Sequence, residues 1–126
     1  MQLFFSGKVK AKPVTLIEGT PTSGTFFIKP MLNGDRIAML EVRMAQGVSS
    51  QMHMHTHESL LYVISGSLKT VIAGQVLVVR QGEACRQPEN VIHSVEALED
   101  TLFIEVKAPV PELQATLGIS DELAAA

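Results

Sequence analysis

The stretch GVSSQMHMHTHESLLYVISG, residues 47–66, carries three of the four histidines of the chain at alternate positions and then runs into an apolar segment. Side chains two residues apart on an extended strand point the same way at about 7 Å, so His53 and His55 can approach one metal ion. His57 would lie about 13 Å from His53 on a straight strand, which makes it a poor third ligand. The pattern predicts a metal site that takes a further ligand from elsewhere in the chain.

The fourth histidine, His93, lies in the stretch RQGEACRQPENVIHSV, residues 80–95. Pro88 and Asn90 predict a sharp turn just before it. Because His93 is the only histidine outside the first stretch, we predict that it is the third ligand. The predicted metal site therefore consists of His53, His55 and His93.

Short segments rich in Val, Ile, Leu and Phe recur along the chain between Gly, Asn and Pro residues. This spacing is typical of antiparallel strands joined by tight turns, and hence of an all-β sandwich or barrel. In residues 37–44 apolar side chains alternate with Glu41 and Arg43, as in a strand with one buried face. Gly74 predicts a hairpin turn, because glycine accepts the positive φ that tight hairpins require. The predicted strands are TFFIK (25–29), IAMLEVRM (37–44), LLYVIS (60–65), LKTVIA (68–73), QVLVVRQ (75–81) and TLFIEVKA (101–108).

The length of 126 residues predicts one domain, residues 1–126. Helical signals are confined to its end. PELQATLG (111–118) can form one or two turns that end at Gly118, and SDELAAA (120–126) begins with a capping Ser followed by acidic residues. We therefore expect a short C-terminal helical segment beside an all-β domain.

Charge and composition exclude several classes of protein. The net charge is −3 and no cluster of Lys or Arg is present, which argues against a nucleic-acid surface. The longest apolar runs, residues 60–64 and 76–79, are far too short to cross a bilayer. The single cysteine, Cys85, cannot form an internal disulfide and is expected to be a small core residue. With no signal-type apolar stretch near the N-terminus, we expect a cytoplasmic protein without a membrane span.

Residues 47–66 resemble the first signature motif of the cupin superfamily. That motif reads Gly, five residues, His-x-His, three or four residues, Glu, six residues, Gly. The residues in register are Gly47, His53, His55 and Gly66. Ser59 stands where the family has its metal-binding Glu, and Glu58 is one place early and should face away from the histidines. The fourth ligand is therefore the feature in which this chain departs from the family.

Residues 82–93 resemble the second cupin motif, which reads Gly, five residues, Pro-x-Gly, two residues, His. Gly82, Pro88 and His93 match, and Asn90 replaces the second Gly, a mild change because Asn tolerates the left-handed conformation. The resemblance implies a small cupin-type β-barrel, also called a double-stranded β-helix or jelly roll, with its core at about residues 25–108.

The resemblance also implies one divalent metal ion, whether Fe, Mn, Ni or Zn. Three neutral imidazoles leave the ion its full +2 charge, so the site should favour an anionic substrate or a metal-bound hydroxide. Ser59 or Gln87 could add a weak fourth ligand. Three open positions would remain on a six-coordinate ion, whereas zinc would take the three histidines and one water.

Other polar residues near the motifs are candidates for catalysis or substrate binding. His57 and Glu58 are the only acid–base candidates next to the site. Alternation along a strand at residues 84–87 requires that either Arg86 or Gln87 faces inward. Arg86 could bind a substrate carboxylate, Gln87 could donate a hydrogen bond or ligate weakly, and Tyr62 could hydrogen-bond a substrate.

These observations together predict a small metalloenzyme that activates a small anionic or oxygen-rich organic substrate. Both oxygen-dependent cleavage and redox-neutral lyase, isomerase or hydrolase chemistry suit such a site. The resemblance includes cupin-like dioxygenases with three-His iron sites and small cupins that process sugar acids in pectin degradation. The alternative is a non-catalytic small-molecule-binding or sensing cupin, which the substitution at Ser59 favours. A homodimer is expected as well, because small cupins often pair through their sheets and LFF (3–5) and TFFIK (25–29) are apolar.

Overall fold

The computed structural model describes residues 3–110, which form nine β-strands after one short 3-10 turn at Ser6–Lys8. All six predicted strand segments are present. The strands are β1 (Lys12–Ile17), β2 (Thr20–Asn33), β3 (Ala38–Met44), β4 (Glu58–Ser65), β5 (Ser67–Ile72), β6 (Gln75–Arg80), β7 (Ala84–Gln87), β8 (His93–Ala97) and β9 (Thr101–Ala108).

The strands pair into two antiparallel sheets. One sheet has six strands in the order β1-β2-β3-β9-β4-β7, and the other has three in the order β6-β5-β8. The all-β prediction is confirmed. Among residues 3–110 the strand ladders remain two sheets, without one continuous ladder that closes them into a barrel. The helical segments expected in 111–118 and 120–126 lie outside the described residues, and no helix of the described chain is long and apolar enough to span a membrane.

The core lies between the two sheets, and strand alternation decides which side chains enter it. On β3, Ala38, Leu40, Val42 and Met44 are buried, and Arg43 is exposed, as the sequence predicts. The same alternation on β4 buries Ser59, Leu61 and Val63. Leu68, Val79, Val95 and Ala97 of the smaller sheet complete the core cluster.

The turn between β5 and β6 contains Ala73 and Gly74, both with positive φ (50° and 80°). Ile72 pairs directly with Gln75, so the loop has two residues. Positive φ at both central positions is typical of a tight hairpin turn whose twist matches that of the strands. The hairpin predicted at Gly74 is confirmed.

The chain around the histidines differs from the regular strand that the sequence suggests. Residues 45–57 form the connection between β3 and β4, and they pair only through isolated bridges, Ser49 with Ser23 and Glu96, and His53 with His93. The two backbones exchange hydrogen bonds of 2.9 and 2.8 Å across the bridge between His53 and His93. A bend at residues 56 and 57 then turns the chain into β4. The bridge, rather than a continuous strand, brings the two histidine stretches together.

Candidate metal centre

The structure brings His53, His55 and His93 together. One ring nitrogen from each lies within 4.8 Å of the other two. The ring centroids of His53 and His55 lie 4.4 and 4.6 Å from that of His93. Nitrogens at this separation can all reach one ion that lies about 2.1 Å from each. The three residues named from the sequence therefore form a group with the geometry of a metal site.

The backbone fixes the tautomer of each of these imidazoles. In all three residues Nδ1 lies at hydrogen-bond distance from a carbonyl oxygen two positions away in sequence. The acceptors for His53, His55 and His93 are the carbonyl oxygens of Gln51, His57 and Val91, at 2.7, 2.8 and 3.0 Å. Because a carbonyl only accepts, Nδ1 carries the proton and Nε2 keeps its lone pair. This arrangement orients three Nε2 atoms as ligands.

The lone pairs are available at neutral pH. Burial is the largest cause that lowers the pKa of His55 to about 3 and of His93 to about 4, and it also lowers the pKa of His53. The nearby Lys107 ammonium lowers the pKa of His55 further. Protonated imidazoles cannot bind a cation, so their neutral state favours metal binding.

The donor set fits a divalent ion. Within the described part of the chain, His93 Nε2 is one of three buried side-chain polar atoms without a hydrogen-bond partner. Native structures rarely leave a buried polar atom unsatisfied, so such an atom calls for an explanation such as an ion. Three neutral imidazoles suit Zn, Fe or Ni.

His57 lies beside this group but outside it. Its ring stacks on that of His55 with centroids 3.7 Å apart and an angle of 5°. Its Nε2 accepts a hydrogen bond of 3.0 Å from the Lys107 ammonium. Burial, the largest cause, and this ammonium lower the pKa of His57 to about 3. His57 is therefore a neutral acceptor for Lys107 rather than a member of the three-histidine group.

Lys107 and Glu105 are functional candidates that the sequence reasoning missed. Both side chains face inward from β9; the Lys107 side chain is only 3% exposed, and its Nζ lies 3.3 Å from Glu105 Oε2. A charged lysine is almost never fully buried unless it is paired. The alternation of TLFIEVKA, once Phe103 is known to face inward, is the signal that could have identified both residues.

Ser59 and Gln87 are paired residues on β4 and β7, and both are buried. Ser59 is fully buried, its Oγ lacks a hydrogen-bond partner among residues 3–110, and it lies between Gln87 on β7 and Lys107 on β9 in the sheet. Of the two alternatives at positions 86 and 87, Gln87 faces inward. Burial, the largest cause, raises the pKa of the neighbouring Cys85 thiol to about 11, and the side chain packs against the core as expected.

Three residues that the sequence suggested for catalysis or substrate binding lie elsewhere. Glu58 and Arg86 form an exposed ion pair, with Oε2 and Nε 2.6 Å apart, on the outer face of the larger sheet. Tyr62 is half exposed on the same strand as Glu58. Strand alternation places their side chains opposite to Ser59 and Gln87, so they do not reach the histidines.

A cavity between the sheets joins these polar groups. Most of its wall is apolar, and its polar lining residues are His53, His55, Gln87, His93, Glu105 and Lys107. The cavity has a volume of about 30 Å³, which is enough for roughly two waters. The space suits an ion with one or two small ligands.

Glu18 is a further polar residue at this site that the sequence reasoning missed. Its carboxylate forms a second potential ligand group with His55 and His57. Burial, the largest cause, raises the pKa of Glu18, while the charge of Lys107 opposes that shift. Residue 18 lies far from both motifs in sequence, so no local pattern could have identified it.

Comparison with known proteins agrees with the fold. The family model of the cupin domain matches residues 40–106, just over half of the chain. Pectin degradation protein KdgF of Dickeya dadantii (strain 3937) is 31% identical over 77 residues, which cover 60% of this chain and 70% of that protein.

Solved structures show the same fold. The structure of KdgF from Halomonas sp. matches with a TM-score of 0.77 and 20% identity, covering 88% of this chain and 97% of that chain. An RmlC-like cupin from Shewanella frigidimarina matches with a TM-score of 0.78 and 16% identity, covering 89% and 94%. At these identities the structural matches establish similarity of fold alone.

Proposed function

This chain belongs to the cupin domain family, and we propose that it is a metal-dependent enzyme acting on a small, oxygen-rich organic acid. His53, His55 and His93 would hold one divalent ion. The observation that carries the proposal is the convergence of three imidazoles within 4.8 Å, each with Nδ1 bound to a backbone carbonyl. Such outer hydrogen bonds orient histidine ligands and raise their basicity.

The chemistry divides between the ion and the cavity wall. A bound divalent ion would supply a Lewis acid that polarises a substrate oxygen. The Lys107 ammonium can donate a hydrogen bond to a substrate carboxylate or hydroxyl, and the Gln87 amide can donate another. The Glu105 carboxylate is the cavity group that can accept a proton from the substrate and return it. The apolar remainder of the wall keeps bulk water away from these groups.

The substrate class that we propose is a sugar acid of the kind produced from pectin. The similarity to a pectin degradation protein supports this choice. The positive charges of the site and of Lys107 also suit a carboxylate. Because the cavity holds roughly two waters, only the reacting end of such a substrate would enter it.

A non-catalytic binding or sensing cupin is the second candidate, and Ser59 favours it. A serine at the position of the usual carboxylate weakens the expected ligand set, as a protein that has lost its chemistry would show. Incubation of the metal-loaded protein with a uronic acid, a sugar acid of this class, distinguishes the two candidates. The enzyme would convert the acid, whereas a binding cupin would leave it unchanged.

Metal content tests the ligand assignment directly. Purified protein should contain one Zn, Ni, Mn or Fe per chain by elemental analysis, and His93→Ala should lose it while its circular dichroism stays native. The fold should survive because its stability comes from apolar burial. His57→Ala is the matched control, since it removes a buried histidine outside the group and should keep the metal. Full metal content in His93→Ala would refute the assignment.

Oxygen uptake separates the two reaction classes. We expect redox-neutral conversion of a uronic acid, with no oxygen consumed in an electrode measurement. Substrate-dependent oxygen uptake by the iron-loaded protein would instead indicate a dioxygenase and contradict the redox-neutral expectation.

A further inference from the structure

With an ion bound, the residues of the two motifs would leave the proposed metal site with excess positive charge. Three neutral imidazoles leave a divalent ion with its full charge, and the Lys107 ammonium adds another positive charge in the same cavity. Glu105 offsets only one of these charges, through its 3.3 Å contact with Lys107. Uncompensated charge in a buried site is expensive. A further carboxylate would therefore stabilise the loaded site.

Glu18 lies where it could provide that carboxylate. It follows Ile17, a buried residue that lines the cavity, in the turn that joins β1 to β2. One carboxylate oxygen of Glu18 and one ring nitrogen each of His55 and His57 lie within 4.8 Å of one another. Glu18 Oε1 is buried and has no hydrogen-bond partner within residues 3–110. A buried carboxylate oxygen without a partner calls for an explanation, and a cation bound beside the imidazoles would provide one.

Glu18 and Gly19 form the two-residue loop of the β1–β2 hairpin, because Ile17 pairs directly with Thr20. Both have positive φ (53° and 74°), as Ala73 and Gly74 do, so the hairpin turn accounts for the backbone of Glu18. The side chain of Glu18, rather than its backbone, indicates a ligand role.

We propose that the Glu18 carboxylate is the fourth protein ligand of the ion held by His53, His55 and His93, in place of the carboxylate that position 59 lacks. The inference rests on the proposed metal site. Glu18 shares His55 with the three-histidine group, and its side chain would have to turn for a carboxylate oxygen to reach the common ion. The ligand thus comes from the β1–β2 hairpin, outside the segment that the cupin family model matches.

The alternative of a second ion at Glu18, His55 and His57 does not fit the contacts. The Lys107 ammonium already donates to His57 Nε2 at 3.0 Å. A second divalent ion would have to displace this ammonium or lie against it. Glu18 therefore serves the ion at the three histidines.

Other buried polar groups are weaker candidates for the fourth ligand. The Ser59 hydroxyl and the Gln87 amide are neutral, so neither reduces the positive charge of the site. Glu105 is already engaged with Lys107. Of the carboxylates near the histidines in the described structure, Glu18 is the one with a buried oxygen that has no partner.

Competitive chelator titration of the stripped, full-length protein with Mn²⁺ and Ni²⁺ tests the inference. Glu18→Gln should weaken binding about tenfold or more, a change of the size seen when groups that support a metal site are removed. Glu18→Asp, which keeps the charge and shortens the side chain, should weaken it as well. Glu58→Gln is the matched control, an exposed glutamate next to His57, and should bind as the native chain does.

The double variant Glu18→Gln/Ser59→Glu returns a carboxylate to the motif position and should restore affinity. In Co²⁺-loaded protein, Glu18→Gln should also change the visible absorption, which reports coordination directly. Equal affinity of Glu18→Gln and the native chain would overturn the inference and leave the three-histidine site standing. Native affinity in Glu18→Asp would mean that charge alone acts, without ligation, and would overturn it too. If the native chain binds neither ion, the proposed function itself fails.

Discussion

Lys107 shows how a single side chain can set the character of a site. Its ammonium is almost fully buried, and it contacts Glu105 on one side and His57 on the other. A lysine in such surroundings is tolerated only because both contacts compensate for lost hydration. The same contacts hold the ammonium group toward the cavity. There it adds a positive charge to a wall that is mostly apolar.

Removal of this charge should destabilise the fold. Lys107→Met leaves Glu105 without its cation inside the cavity, and we expect a loss of about 3 kcal/mol in the free energy of unfolding. The double variant Lys107→Met/Glu105→Leu removes both charges and should recover most of that loss. Urea denaturation of the metal-free proteins measures both values. A single variant as stable as the native chain would show that the pair contributes nothing to stability.

The sequence predicted the histidines of the site but not its charged wall, and the reason is physical. His53 and His55 are spaced to share one face, and His93 is the only histidine outside their stretch, so the convergence of the three could be inferred from the sequence. In TLFIEVKA, Leu, Ile and Val share one face, and their apolarity favours that face as the buried one. The structure buries the opposite face, with Phe103, Glu105 and Lys107 turned toward the cavity. Which face of β9 is buried depends on how the strand pairs with β3 and β4 in the larger sheet, and the sequence of β9 does not contain that information.

At the scale of elements, the passage from β4 to β5 depends on Gly66. These strands belong to different sheets, so the chain changes sheet within one residue. Gly66 has a φ of 91°, and a Cβ there would lie against Thr101 and 2.5 Å from the carbonyl oxygen of Asp100. This close approach explains physically why the first motif ends in glycine.

The two glycines Gly66 and Gly74 allow a matched test of that explanation. Both have positive φ, but a Cβ at Gly74 meets nothing within 4 Å. Gly74→Ala should therefore reduce the free energy of unfolding by about 1 kcal/mol, the cost of a positive φ in a residue with a Cβ. Gly66→Ala adds a steric clash with backbone and should lose about 3 kcal/mol or more in the free energy of unfolding. Similar losses in thermal and urea denaturation would contradict the role assigned to the contact with Asp100.

Strand prediction succeeded where apolar runs are long and failed where the chain is short or interrupted. The six apolar segments all became strands, since each covers at least part of the core. Sequence signals are weaker for β1, which contains Pro13, and for β8, which begins at His93. The connection that carries His53 and His55 resembles a strand in its alternation, yet it pairs only through isolated bridges. Strand pairing depends on whether another backbone segment lies alongside, and the alternation of side chains contains no information about that.

At the scale of the whole molecule, the larger sheet has one face in the core and one toward solvent. Its outward side chains include an apolar patch formed by Met39, Leu60, Tyr62, Ile104 and Val106. Val106 pairs with both Met39 and Leu60, and Ile104 pairs with Tyr62, so the patch is continuous across three strands. Leu60 and Tyr62 are each 50% exposed. A contiguous exposed apolar patch is typical of an interaction surface.

The homodimer expected from the sequence stays a prediction, and this patch gives it a location. A two-fold dimer buries the same surface on both copies, so one substitution removes two contacts. We expect the native chain to run as a dimer in size-exclusion chromatography with light scattering. Tyr62→Glu should shift it to a monomer, because a carboxylate at a buried apolar interface is left without a partner. Val76→Glu, at an apolar position of the smaller sheet that is at least as exposed as Tyr62, should stay dimeric. A native monomer at all concentrations would refute the prediction, and loss of the dimer in Val76→Glu alone would move the interface to the other sheet.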